Sequence, residues 1–252
     1  MAKNIEVEKG FRTKQEVEEA IRNKTCFGSN PSSWEEKMEN FPKYVRRQNL
    51  TRFLALYEIF KQVVDVKGSI IECGVHQGFG VMSWAKFSAI LEPVNLTRRI
   101  YGFDSFGGFP EISDKDLSPV GADVKTGDLL ADSYEEIKEL AAAHDSTRFL
   151  GHIPKVELIR GDATETIPKF LEDNPHILVS LLFLDFDLYE PTKVAIDNFL
   201  ARMPKGAVIA FDELDNPIWP GETLALLDSA GANNLRLKRL PFDPYIGFAT
   251  ID

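Results

Sequence analysis

Cysteine, histidine and positive charge are all scarce in this chain. Its 252 residues hold two Cys, four His, and 29 Lys and Arg against 39 Asp and Glu, a formal charge of −10. Cys26 and Cys73 cannot build a disulfide framework, and their separation matches no zinc motif. The deficit of basic residues argues against a protein that tracks a phosphate backbone, so no nucleic-acid partner is expected. Long hydrophobic runs are missing too: the longest, 177–184, falls far short of the roughly 20 residues that span a bilayer. The first two dozen residues are charged throughout, unlike a signal peptide. The expectation is a cytoplasmic protein without a membrane partner, in which the sequons at Asn23, Asn49 and Asn95 arise by chance. An apolar fraction of 44% with 27% charged residues is globular usage, and the length suits one large α/β domain or two small ones.

What is present is alternation. A polar stretch, 1–43, carries an amphipathic helical pattern near 13–23 and a breaker cluster at Gly28–Pro31. Leu50, Phe53, Leu54, Tyr57, Phe60, Val63 and Val64 then recur at helical steps. Seven short apolar runs follow, at 69–74, 99–104, 155–160, 178–185, 206–211, 235–240 and 245–251. Helical patterns at 79–91, 133–143, 164–173, 191–202 and 221–230 separate most of them. Strand–helix alternation predicts a Rossmann-like α/β fold with a mostly parallel sheet and helices on both faces. Only four residues, 241–244, join the last two runs, so these must be antiparallel neighbours. The segment 105–132 is long and rich in Gly, Asp, Ser and Pro, and it leaves the carboxyl end of the second strand. It reads as a lid or as a surface insertion.

The strand ends carry the chemistry. The first runs into Glu72-Cys73-Gly74-Val75-His76-Gln77-Gly78-Phe79-Gly80. This G-x-x-x-G-x-G spacing is not the G-x-G-x-x-G of dinucleotide binders, which counts against an oxidoreductase. Asp104 ends the second strand, where an acid can accept ribose hydroxyls, and Asp162, before Ala163, ends the third, where one can accept from an adenine amino group. Each could instead be an ordinary turn or cap residue. Together they point to a nucleoside without phosphates, and S-adenosyl-L-methionine answers that description. The seven-stranded class I methyltransferase pattern, with its antiparallel last strand, agrees.

The fourth strand ends in Asp185-Phe186-Asp187 and the fifth in Asp212-Glu213. Asp185 and Asp187 share a face if the strand stays regular. Clustered carboxylates repel unless a cation or proton compensates, and an all-oxygen set suits Mg²⁺ or a similar divalent cation. The bland alternative is helix capping, which Asp187 before 191–202 could perform. Methyl transfer to an alcohol needs a base, for which Asp187 is the candidate. Trp219 walls an acceptor pocket or packs in the core, and His76 contacts the cofactor or is a hydrogen-bonded turn residue.

From about 44 to 228 the chain resembles the macrocin O-methyltransferases, through IIECGVHQGFG, YGFDSFGGFP, VELIRGDATETIP, LDFDLYEPT and the IAFDEL strand end. The resemblance implies a class I fold using S-adenosyl-L-methionine and Mg²⁺, often as a homodimer, and acting on sugar hydroxyls. By position it implies Asp185, Asp212 and Glu213 as metal ligands and Asp187 as general base. Glu72, Asp104, Ser105 and Asp162 would hold the cofactor, with Gly74, Gly78 and Ala163 lining its turns. Two residues depart from the family pattern: Phe186 stands where Gly is usual, and Glu213 where a second Asp is usual. The domain division expected is an N-terminal helical cap, 1–66, and a methyltransferase domain, 67–252. The acceptor expected is a small sugar-containing molecule. A catechol-type phenol, a nucleotide-cofactor oxidoreductase and a non-catalytic nucleoside-binding protein are the alternatives.

Overall fold

The computed structural model describes residues 13–119 and 124–252. The start of the expected cap and four residues of the segment 105–132 therefore lie outside the described residues. The chain divides into two compact units, one ending at Ala55 and one running from Leu56 to Asp252.

In the first unit, helix α1 (Lys14–Ser29) starts at a capping box in which Thr13 and Glu16 bond reciprocally, and it stops at Asn30 within the predicted breaker cluster. Helix α2 (Trp34–Glu39) repeats the device with Ser33 and Glu36. Helix α3 (Arg47–Lys61) carries the predicted apolar stripe and crosses the division between the units.

The second unit is a seven-stranded sheet of order β3-β2-β1-β4-β5-β7-β6. The strands are β1 (Ser69–Cys73), β2 (Ile100–Asp104), β3 (Val156–Arg160), β4 (Val179–Leu184), β5 (Val208–Phe211), β6 (Lys238–Arg239) and β7 (Gly247–Thr250). The first five are parallel, and β7 runs antiparallel to both β5 and β6. The expected fold class and final hairpin are thus present. The sixth strand is shorter than its apolar run, two residues where 235–240 was expected.

Helices α4 (Phe79–Leu91), α5 (Tyr134–Thr147), α6 (Ala163–Asp173), α7 (Tyr189–Phe199) and α8 (Pro220–Ser229) flank the sheet. Every residue of β4 is buried, as a central parallel strand requires. Leu182 and Leu184 join one core with Ile167 and Phe170 of α6, Ile196 and Phe199 of α7 and Leu226 of α8. On the other face, Phe183 meets Trp84, which stacks on Phe60.

At the foot of the sheet Arg98 is fully buried. Its Nε bonds Glu92 at 2.8 Å, and its Nη2 donates to the carbonyls of Val63 (2.8 Å) and Val66 (2.9 Å), closing the chain after α3. Neighbouring β1 lie β2 on one side and β4 on the other, so the strand order reverses there. Ligands of doubly wound sheets bind in the crevice at the carboxyl ends beside such a point.

Candidate active site

The parallel register builds the site. Phe103, Cys73, Leu184 and Phe211 stand in one row across β2, β1, β4 and β5. The next residue along each strand is Asp104, Gly74, Asp185 and Asp212, so three acids flank a glycine along one edge. The row is still stitched by main-chain bonds: Asp185 N–H to the Cys73 carbonyl at 2.7 Å, and Asp212 N–H to the Leu184 carbonyl at 2.9 Å. Gly74 has φ +94°, and a Cβ there would collide with the carbonyl oxygen of Asp185. The glycine turn and the acid-bearing turn are therefore in direct contact.

On the cofactor side, Asp104 Oδ2 accepts from the main-chain N–H groups of Val75 and His76, both at 2.8 Å, and Oδ1 from Phe106 N–H at 2.6 Å. Asp104 thus holds the glycine turn against β2. A carboxylate has about four acceptor sites, so room for a further donor is left. His76, at φ +48°, is a hydrogen-bonded turn residue whose carbonyl accepts from the Ser133 hydroxyl. Gly78 (φ +81°) starts α4, and its missing side chain makes room for Ile137 of α5.

Glu72 is buried and accepts from the Trp84 indole at 2.5 Å. Any Cβ on Gly80 would strike its carboxylate. Asp162 caps α6, its Oδ1 accepting from the N–H and hydroxyl of Thr164 at 2.8 and 2.7 Å, and Ala163 opens the helix. Ser105 closes a local turn by donating to the Gly108 carbonyl at 2.6 Å.

On the chemistry side, β4 ends at Leu184 and β5 at Phe211, so the acids lie on turns. The expectation that Asp185 and Asp187 share a strand face fails for that reason. Asp187 sits at φ +62°, a left-handed conformation that costs a non-glycine residue about 1–2 kcal/mol. It does not cap the next helix either, since Leu188 occupies that position and the helix begins at Tyr189. Asp185, Asp187, Asp212 and Glu213 are all half-buried. Among the described residues no three Asp, Glu, His or Cys side chains gather into a group able to hold a metal ion. Asp185, Asp212 and Glu213 offer the hard-oxygen chemistry of a Mg²⁺ site without converging on a point.

Two acids that sequence reasoning passed over complete the neighbourhood. Glu222, on the first turn of α8, is fully buried. Its Oε1 accepts from Asp187 N–H (3.3 Å) and its Oε2 from Glu213 N–H (3.0 Å), tying the two acid turns together. Burial pushes its carboxyl well above the usual range, and the charges of Asp185 and Glu213 add to that, while the two N–H donors oppose it. Asp116 comes from the segment 105–132 and is 3% exposed. Asp116 Oδ1 accepts from Tyr189 N–H at 2.6 Å.

That segment is docked. Phe109 meets Trp219 edge-on at 6.0 Å, so Trp219 anchors it, and the Ser118 hydroxyl donates to the Pro217 carbonyl.

Comparison with known proteins adds a family. The model of the macrocin O-methyltransferase (TylF) family matches residues 44–230. A curated relative is the Streptomyces olivaceus 8-demethyl-8-(2,3-dimethoxy-α-L-rhamnosyl)-tetracenomycin-C 4′-O-methyltransferase, 28% identical over 153 residues. The match covers 59% of this chain and 53% of that protein, so the chain spans about half the length of this curated relative.

A crystal structure of CalS11, a calicheamicin methyltransferase, shares 36% identity over 95% of this chain and 93% of its own, with a TM-score of 0.91. An apo structure of CalS11, described as a TDP-rhamnose 3′-O-methyltransferase, gives 33%, 95% of each chain and 0.82. The O-methyltransferase NovP, 18% identical over 80% of each chain with a TM-score of 0.60, shares the fold.

Proposed function

The chain belongs to the macrocin O-methyltransferase family, and on that premise we propose that it moves the methyl group of S-adenosyl-L-methionine to a hydroxyl of a small sugar-containing acceptor. The observation that carries the reading is the contact of Gly74 with Asp185. Methyl transfer is an in-line displacement, in which donor and acceptor must stand about 3–3.5 Å apart. A nucleoside-binding turn and an acid-bearing turn that touch can present the two partners to each other. The names of CalS11 and of the S. olivaceus relative, both rhamnose O-methyltransferases, support a sugar as acceptor.

In this reading Gly74, Gly78 and Asp104 shape the turn beneath the cofactor, and Asp162 and Ala163 bound its adenine end. Ser105 steadies the loop after β2, and buried Glu72 sets the floor beneath α4. Asp187 accepts the proton of the acceptor hydroxyl as the new C–O bond forms and the C–S bond breaks. Mg²⁺ belongs to the proposal on donor chemistry alone. When bound by Asp185, Asp212 and Glu213 it would lower the pKa of a coordinated hydroxyl. Among the described residues the three side chains are not gathered around one point.

The test is incubation of the protein and S-adenosyl-L-methionine with TDP-rhamnose or with catechol, in Mg²⁺ or in EDTA. Mass spectrometry then follows S-adenosylhomocysteine and the methylated product. Methylated TDP-sugar that disappears in EDTA is expected. Methylation of catechol alone would move the acceptor to phenols, and full activity in EDTA would remove the metal.

A further inference from the structure

Asp187 stands on a strained turn, and the question is what holds it there. One hold comes from the first turn of α8, where Glu222 accepts from Asp187 N–H. The other comes two residues further on, where Asp116 accepts from Tyr189 N–H. The second hold belongs to a segment that left the sheet after β2.

Asp116 is fixed on its other side by Ser113, whose N–H (2.8 Å) and hydroxyl (2.7 Å) both donate to Oδ2. The fit at this point is close. A Cβ on Gly221 would lie 2.5 Å from Asp116 Oδ1, 2.6 Å from Tyr189 N and 2.7 Å from the Asp187 carbonyl oxygen. Outside the buried carboxylate, Lys115 pairs with Asp228 at 2.6 Å and lies 3.8 Å from the centre of the Tyr189 ring. The Tyr189 hydroxyl donates to the same Asp228 at 2.9 Å.

We propose that Asp116 is a positioning residue for the reaction: its bond to the Tyr189 N–H sets the turn that carries Asp187, so the base stands in place only while this segment is docked on α8. The proposal rests on the reading of Asp187 as general base. Asp116 itself touches no reacting atom. Docking of the segment and placement of the base become one event, the kind of coupling by which closing loops complete catalytic sites.

Two pairs of variants test it. Asp116→Ala removes the acceptor, whereas Asp116→Asn keeps an oxygen for Tyr189 N–H and gives up only the bond from Ser113 N–H. Tyr189→Pro deletes the donor at the first position of a helix, which proline tolerates, and Tyr189→Ala deletes the ring but keeps the donor.

Peptide-resolved hydrogen exchange needs no acceptor and reads the mechanical link. In Asp116→Ala, exchange over 185–190 should rise about tenfold or more while 69–75 stays unchanged, and Asp116→Asn should lie nearer to wild type than Asp116→Ala. With TDP-rhamnose as probe, Asp116→Ala should lower kcat about tenfold or more with the KM for S-adenosyl-L-methionine within about twofold, and Asp116→Asn should restore most of it. Tyr189→Pro should fall below Tyr189→Ala by a similar factor.

Wild-type exchange over 185–190 in Asp116→Ala, or equal kcat in the two Tyr189 variants, overturns the proposal. If Asp116→Ala does not fold, the Tyr189 pair decides; if TDP-rhamnose is not methylated, exchange decides. An active Asp187→Asn would remove the base and leave the exchange result standing. An inactive Asp187→Asn beside a fully active Asp116→Ala would sink the Asp116 proposal alone.

Discussion

At the scale of single residues, the acids of this site divide by what their carboxylates hold. Asp104 and Glu222 each accept main-chain N–H groups from a turn other than their own. Asp187, lifted onto a left-handed turn beside Gly74's neighbour Asp185, is the one assigned to the acceptor's proton. Asp187→Asn should lower kcat by about 10²–10⁴-fold, the usual worth of a general base, with cofactor affinity by calorimetry nearly unchanged. Asp212→Asn should raise the Mg²⁺ concentration needed for half-maximal rate, and an unaltered titration would place the ion elsewhere. The residues at strand ends were legible in the sequence because acids recur after several successive apolar runs, although each alone also fits a turn or cap, and Asp162 does cap α6. Glu222 and Asp116 were not. Glu222 reads as an acid in the first turn of a helix, favoured by the helix dipole at any exposed site. Asp116 reads as one of several acids in a polar loop. Their burial comes from how α8 and the segment 105–132 pack, and no local pattern encodes it.

Elements were legible where one signal dominated. Helix α4 has the predicted bounds, because the glycine turn before it and Pro93 after it are both strong punctuation. Strand β6 shrank because its run alternates Leu with Arg and Lys at the sheet's outer edge, where few apolar partners reward pairing. The foot of the sheet depends on two cations that periodicity could not place. Arg98→Ala would leave Glu92 and several carbonyls buried without their partner, so it should cost about 3–5 kcal/mol in denaturant unfolding.

Lys155, just before β3, is 5% exposed, and its Nζ donates to the carbonyls of Asn95 (3.3 Å) and Arg98 (3.1 Å). Burial, helped by Arg148, lowers its pKa to about 8. Between that value and the unfolded lysine pKa of about 10.4, the unfolded chain binds more protons, so this group's contribution to stability rises with pH. The cost of the buried ammonium is in full force below about pH 8 and is relieved above it. Urea midpoints of wild type relative to Lys155→Met should therefore climb from pH 7.5 to 9.5, and parallel curves would deny the ammonium this role.

For the whole molecule, the charge of −10 gains a partial address. Asp104, Asp162, Asp185, Asp187, Asp212 and Glu213 are half-buried along one sheet edge, where a sulfonium and a divalent cation would both be welcome. A second whole-molecule feature is the first unit, in which no described residue from 13 to 54 is buried. Ile21, Trp34 and Met38 are 60%, 68% and 54% exposed. The family resemblance implies a homodimer, and side chains of this kind are ones that a partner copy would cover. Light scattering should give twice the mass of one chain, and a single-chain mass would remove the dimer.

The absence of a side chain at Gly221 reaches furthest. Because that gap admits Asp116 from a distant part of the chain, the two positions are sterically coupled. A chimaera that borrows the segment 105–132 from a relative in order to change the acceptor must borrow the residue at 221 with it, or the graft will close on a base it cannot align.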